Sequence, residues 1–175
     1  MAHKKIAVLG GTFNPVHYGH INLARNVAAT PQVDEVWLSL SPLNPFKAGH
    51  DIPSARQRLE ALEEALKDET NVRATDIELS LPLPSYMIDA LDTLTVRHPD
   101  LDFTLLIGSD NLEGFTRWRR WQEILERYGL LVYPRHDPNT TLPAALQPYA
   151  SRITLLADMP LYPVSSTQLR QSPTP

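Results

Sequence analysis

Three of the seven glycines in this 175-residue chain fall between positions 10 and 20, together with two histidines. The segment runs Gly10-Gly11-Thr12-Phe13-Asn14-Pro15-Val16-His17-Tyr18-Gly19-His20. Paired glycines let a backbone turn sharply and approach a bulky anion, because no Cβ stands in the way. His17 and His20 are three residues apart, so on a helical turn they project from one face. At a helix start they would join free N–H groups and a dipole that already favour negative charge. The chemistry this suits is phosphate handling. The spacing is not GxGxxG and no Gly-Lys-Ser/Thr occurs, so neither the dinucleotide fingerprint nor a P-loop is present. A zinc site is disfavoured, since no carboxylate or third histidine follows at ligand spacing.

A second polar group lies near the far end, at Pro163-Val164-Ser165-Ser166-Thr167-Gln168-Leu169-Arg170. Consecutive hydroxyls at a helix start offer donors to an anion, and Arg170 follows one turn later. Taken alone, this reads better as an N-cap with a surface arginine. The chain has no cysteine, which removes disulfides, thiolate metal ligands and cysteine nucleophiles together.

The elements that must position these residues alternate along the chain. Strands are expected at Lys5–Leu9, Glu35–Leu40, Val72–Glu78, Asp102–Ile107, Leu130–Tyr133 and Ile153–Leu156. Helices are expected at Tyr18–Ala29, Pro53–Lys67, Tyr86–Arg97 (capped by Ser85), Trp121–Arg127 and Thr167–Gln171. Arg135–Pro148 reads as a loop. Short connections between alternating elements predict a single-domain, Rossmann-like α/β fold over 1–175. Its doubly wound parallel sheet carries helices on both faces, and 172–175 form a frayed tail. Ligands in such sheets bind outside the carboxyl ends of the strands, which singles out the turns after Leu9, Leu40 and Ile107.

Apolar residues make up 42% and charged residues 21%, an ordinary globular composition with no membrane-length apolar run, so a cytoplasmic location is expected. A formal charge of −4 argues against a nucleic-acid partner, but a phosphate pocket needs only local positive charge.

The string from Gly10 to His20 resembles the signature of the HxGH nucleotidyltransferase superfamily, Gly-(Gly/Ser)-(Thr/Ser)-Phe-(Asp/Asn)-Pro-x-His-x-Gly-His. The resemblance implies direct in-line attack of a substrate phosphate on the α-phosphorus of a nucleoside triphosphate, with no protein nucleophile. His17 and His20 would stabilise the charge that builds on the α-phosphate. Gly10, Gly11, Thr12, Phe13 and Gly19 would contact ATP. The far string resembles the superfamily's Ile-Ser-Ser-Thr-x-Ile-Arg segment, which assigns Ser165, Ser166, Thr167 and Arg170 to the β- and γ-phosphates. Magnesium is expected, carried mainly by ATP, with no dedicated protein metal site.

The middle of the chain resembles nicotinate mononucleotide adenylyltransferases, through Pro84-Ser85-Tyr86 and the run Leu105–Trp118 (LLIGSDNLEGFTRW). By that resemblance Gly108 and Asp110 help to seat ATP, and Trp118 stacks on the pyridine ring. Asn44 and Lys47 hold the mononucleotide phosphate, with Lys47 also counted among the catalytic cations. Tyr86, Met87 and Arg119 surround the pyridine substituent. Phe115, Trp118 and Trp121 have helical spacing, and Trp121 is expected in the core with Trp118 exposed. Met87 stands where the family typically has a threonine that contacts the nicotinate carboxylate, which leaves the acid-versus-amide preference open. The expected partners are ATP and nicotinate mononucleotide, with a homo-oligomer compatible. The alternatives are pantetheine-phosphate adenylyltransferase, a cytidylyltransferase and a non-catalytic nucleotide-binding module.

Overall fold

A computed structural model describes residues 3–13, 18–42, 54–135 and 140–156. Six strands form one sheet: β1 Lys4–Gly11, β2 Glu35–Leu40, β3 Val72–Thr75, β4 Leu101–Gly108, β5 Leu130–Tyr133 and β6 Ile153–Leu155. Four α-helices accompany them among the described residues: α1 Tyr18–Ala28, α2 Ala55–Leu66, α3 Met87–Arg97 and α4 Trp121–Arg127. Every strand pairing is parallel, in the order β3-β2-β1-β4-β5-β6. The expected doubly wound α/β fold is therefore present.

Burial on both faces explains the unbroken apolar runs of the strands. Along β1, Ile6 and Val8 join a core with α3 and α4 through Ile88, Leu91, Leu94, Ile124 and Leu125. Ala7 and Leu9 point the other way, into a core with Leu23, Ala24 and Val27 of α1 and Leu62 and Leu66 of α2. The strand order reverses between β1 and β4, which opens a crevice at their carboxyl ends. Gly10-Gly11 and Gly108 end those two strands.

Some expected boundaries are corrected. The strand expected at Val72–Glu78 stops at Thr75, and Ile77–Ser80 forms a 3-10 turn that buries Glu78. Helix α2 begins at Ala55, not Pro53, because Ser54 is its N-cap in a capping box with Gln57. Ser85 does not cap α3; Tyr86 is the N-cap residue and makes no side-chain cap bond. Within the expected loop Arg135–Pro148, residues from Ala144 onward belong to successive 3-10 turns that bury Leu146. Phe115, not Trp121, is the fully buried aromatic of its group, while Trp118 and Trp121 are both half-buried against it. The helix expected at Thr167–Gln171 and the tail at 172–175 lie outside the described residues. Among the described residues no helix is long and apolar enough to cross a membrane.

Candidate active site

A cleft of about 410 Å³ occupies the β1/β4 switch point. One wall is the turn after β1, with Gly10, Gly11, Thr12 and Phe13, joined by Gly19 and His20 of α1 and by Ser41 after β2. The glycines are needed there for steric reasons. A Cβ on Gly10 would stand 2.8 Å from Cε of Met87, and one on Gly11 would stand 3.1 Å from Phe13 Cζ. Phe13 has φ of +46°, a left-handed conformation that a bulky residue adopts at a cost of roughly 1–3 kcal/mol. Burial of its ring to 3% exposure offsets that cost. The ring meets the His20 imidazole edge-on, with centroids 5.1 Å apart. Phe13 therefore shapes the turn and fixes the histidine beside the cleft.

The turns of this wall are tied together from behind. Ser41 N–H donates to Gly11 O at 2.8 Å. Arg58, in the first turn of α2, donates from Nη1 to the carbonyls of Thr12 and Ser41, each at 2.9 Å. Burial pushes its guanidinium below the ordinary arginine value. Nothing in the sequence distinguishes Arg58 from the other charged residues of its helix.

The opposite wall comes from β4 and β5. Gly108 is paired in register with Tyr133, and a Cβ at Gly108 would lie 2.7 Å from Asp110 Oδ1 and 3.0 Å from Tyr133 Cζ. Asp110 turns toward Arg135, which donates from Nη1 to Oδ2 at 3.1 Å, and the Arg135 N–H donates to Ser109 Oγ at 3.1 Å. Asn111, Tyr133 and Arg135 line the cleft although the sequence reading named none of them; Asp110 is not among the lining residues. Position at and just beyond the carboxyl end of β5 is the signal that could have found Tyr133 and Arg135. Burial, partly opposed by Arg135, pushes the Tyr133 phenol up, so it stays a neutral hydroxyl.

Met87 and Trp118 line the same cleft, which brings two of the expected pyridine-side residues to the first turn. Tyr86 and Arg119 do not join them. They line a neighbouring groove, where the Arg119 guanidinium lies over the Tyr86 ring 4.8 Å from its centroid. Below Met87, the buried Glu78 accepts from Ser39 Oγ at 2.6 Å and from Ser85 Oγ at 3.4 Å. Burial pushes its carboxyl above the usual range, against the pull of those two hydroxyls. Ser85 thus joins α3 to β2 through Glu78.

His17, Asn44, Lys47, Ser165, Ser166, Thr167 and Arg170 lie outside the described residues. Among the described residues no three His, Cys, Asp or Glu side chains group as metal ligands would.

Residues 8–172 match the cytidylyltransferase-like family. The chain is 39% identical over 166 residues to a protein of Cytophaga hutchinsonii named as a probable nicotinate-nucleotide adenylyltransferase, covering 95% of this chain and 84% of that one. A protein of the same name from Bacteroides thetaiotaomicron is 38% identical over 168 residues, covering 96% and 81%. This chain belongs to the nicotinate-nucleotide adenylyltransferase family. A solved Plasmodium falciparum nicotinic acid mononucleotide adenylyltransferase, complexed with NaAD, superposes with a TM-score of 0.76 at 17% identity, covering 97% of this chain and 83% of that one. At that identity the likeness speaks for the fold alone.

Proposed function

We propose that this chain, acting as one nucleotidyltransferase domain, joins nicotinate mononucleotide to the AMP portion of ATP, giving deamido-NAD and pyrophosphate. The observation that carries the reading is the cleft at the β1/β4 switch point. The glycine turn, His20, Met87 and Trp118 all line it, with Met87 directly beside Gly10. The family relationship supports the same reading over a pantetheine-phosphate substrate or a purely binding role.

In this mechanism a phosphate oxygen of the mononucleotide attacks the ATP α-phosphorus in line. A new P–O bond forms as the bond to the pyrophosphate oxygen breaks, and pyrophosphate leaves with the electron pair. No protein nucleophile is required, so the chain contributes alignment and charge stabilisation. His20 donates an N–H to an α-phosphate oxygen, with His17, Lys47 and Arg170 completing the charge-stabilising set. Ser165, Ser166 and Thr167 hold the outer phosphates, and Asn44 and Lys47 hold the mononucleotide phosphate. Gly108 lets the ATP side approach the β4 backbone, while Trp118 offers a flat face to the pyridine ring. Magnesium carried by the triphosphate would neutralise part of the phosphate charge.

The test is pyrophosphate release from the purified protein with ATP, magnesium and, separately, nicotinate mononucleotide, nicotinamide mononucleotide and phosphopantetheine. Release with the nicotinate substrate is expected. Silence with all three overturns the reading, and preference for the amide would assign the pyridine specificity to Met87. His20→Ala should lower turnover roughly 100-fold while ATP binding changes far less. Equal losses in both would make His20 a binding contact only.

A further inference from the structure

Arg58 is only 2% exposed and sits in the first turn of α2, where the helix dipole disfavours a cation. Desolvation disfavours it again. Two elements of the local structure offset those costs. The Ser54–Gln57 capping box fixes the helix start, and the Arg58 N–H donates to Ser54 O at 2.9 Å, so the side chain leaves the helix from a set position. Its Nη1 then reaches two main-chain carbonyls that belong to different turns, Thr12 after β1 and Ser41 after β2. Both of those turns line the cleft, and Arg58 itself does not.

We propose that Arg58 is a positioning residue whose guanidinium fixes the turn after β1 relative to the turn after β2. Given the reaction proposed above, on which this inference rests, the first turn receives ATP and the second leads into the segment that receives the mononucleotide. Holding the two turns in one geometry therefore holds the attacking oxygen in line with the α-phosphorus. A misplacement on the order of 1 Å between reacting groups can cost roughly 100-fold in rate with little loss of binding. The cation also lies directly behind two turns that face anions, which favours phosphate on both.

The experiment compares Arg58→Met, Arg58→Gln and Leu66→Ala with the unaltered chain. Gln keeps a polar group in the buried space but stops short of both carbonyls, so it serves if the Met variant does not fold. Leu66→Ala removes packing from the same helix without touching either turn. Both Arg58 variants should lose roughly 100-fold in kcat per folded molecule, while Kd values for ATP and for the mononucleotide, each measured alone, stay within about threefold. Site-resolved hydrogen exchange should show the Ser41 amide opening at least about tenfold faster, with Leu38 in the middle of β2 unchanged. Leu66→Ala should lower Tm and leave kcat per folded molecule alone. Unchanged kcat per folded molecule in the Arg58 variants overturns the proposal, as does loss of both single-substrate affinities to the same extent as kcat. An inactive unaltered chain refutes the reaction; a Ser41 amide that exchanges as before refutes the clamp.

Discussion

The two walls of the cleft are fastened by opposite means. On one wall a buried guanidinium holds main-chain carbonyls of two turns. On the other, an ion pair between Asp110 and Arg135 joins two turns with side-chain exposures of 42% and 22%. A charge-assisted bond to backbone inside the protein has few alternatives and is little screened. An exposed carboxylate–guanidinium pair competes with water and salt, and contributes about 0–1 kcal/mol. The first wall is therefore held from within, whereas the second is held by a pair that water and salt weaken.

Arg58 variants should show the largest effect. Besides the kinetic loss, Arg58→Met should lower stability by about 3 kcal/mol, for two bonds from a charged donor at roughly 1.5 kcal/mol each, read from urea denaturation. A loss no larger than that of Asp110→Asn would abolish the contrast between the walls.

Glycine substitutions come next. Gly108→Ala drives a methyl against Asp110 and the buried Tyr133 ring, and should cost about 1–3 kcal/mol in the same measurement. Gly10→Ala meets only the mobile end of Met87 and should cost less, while displacing that side chain within the cleft. The reverse order would mean that the first wall yields less than the second at its glycine.

Behind the first wall, Glu78 sets a pH dependence. Its carboxyl is raised in the folded state, so the folded chain holds more protons than the unfolded one above the ordinary glutamate value of about 4.3. Stability from this group therefore falls as pH rises from that value to the raised one, and stays at the lower level beyond. Glu78→Gln lacks the titration and should gain on the unaltered chain across this window, seen as a widening Tm difference between pH 4 and pH 7. A difference that narrows would show that the Ser39 and Ser85 hydroxyls outweigh burial. The smallest effect is expected for Asp110→Asn: a loss below about 1 kcal/mol that disappears in 1 M salt.

Much of the fold was legible because each strand is an apolar run bounded by glycine, proline or polar residues, and the alternation with helices leaves few sheet orders. The first turn was legible for the same reason its glycines are needed, since Gly10 and Gly11 announce a close approach. Arg58 was not legible, because Leu59, Leu62 and Leu66 alone make an adequate apolar stripe and an arginine beside them reads as solvated. Its acceptors are carbonyls, which carry no side-chain signature. Glu78 was hidden similarly: the apolar spacing from Val72 suggested a longer strand, and only the tertiary pairing with Ser39 and Ser85 turns the chain inward. Tyr86 and Arg119 show the complementary error, in which adjacency in sequence to Met87 and Trp118 suggested one pocket where the helix start directs them to two.

The left-handed backbone at Phe13 has a thermodynamic consequence for catalysis. A glycine at that position would relax the torsion, yet it would also remove the ring that confines His20. The imidazole would lose that edge-on contact, and under the proposed reaction any rotamer freedom so gained would have to be given up on binding, at a cost of the order of 1 kcal/mol or less. Folding thus spends torsional energy at Phe13 and gains a packed ring against the histidine before any ligand arrives.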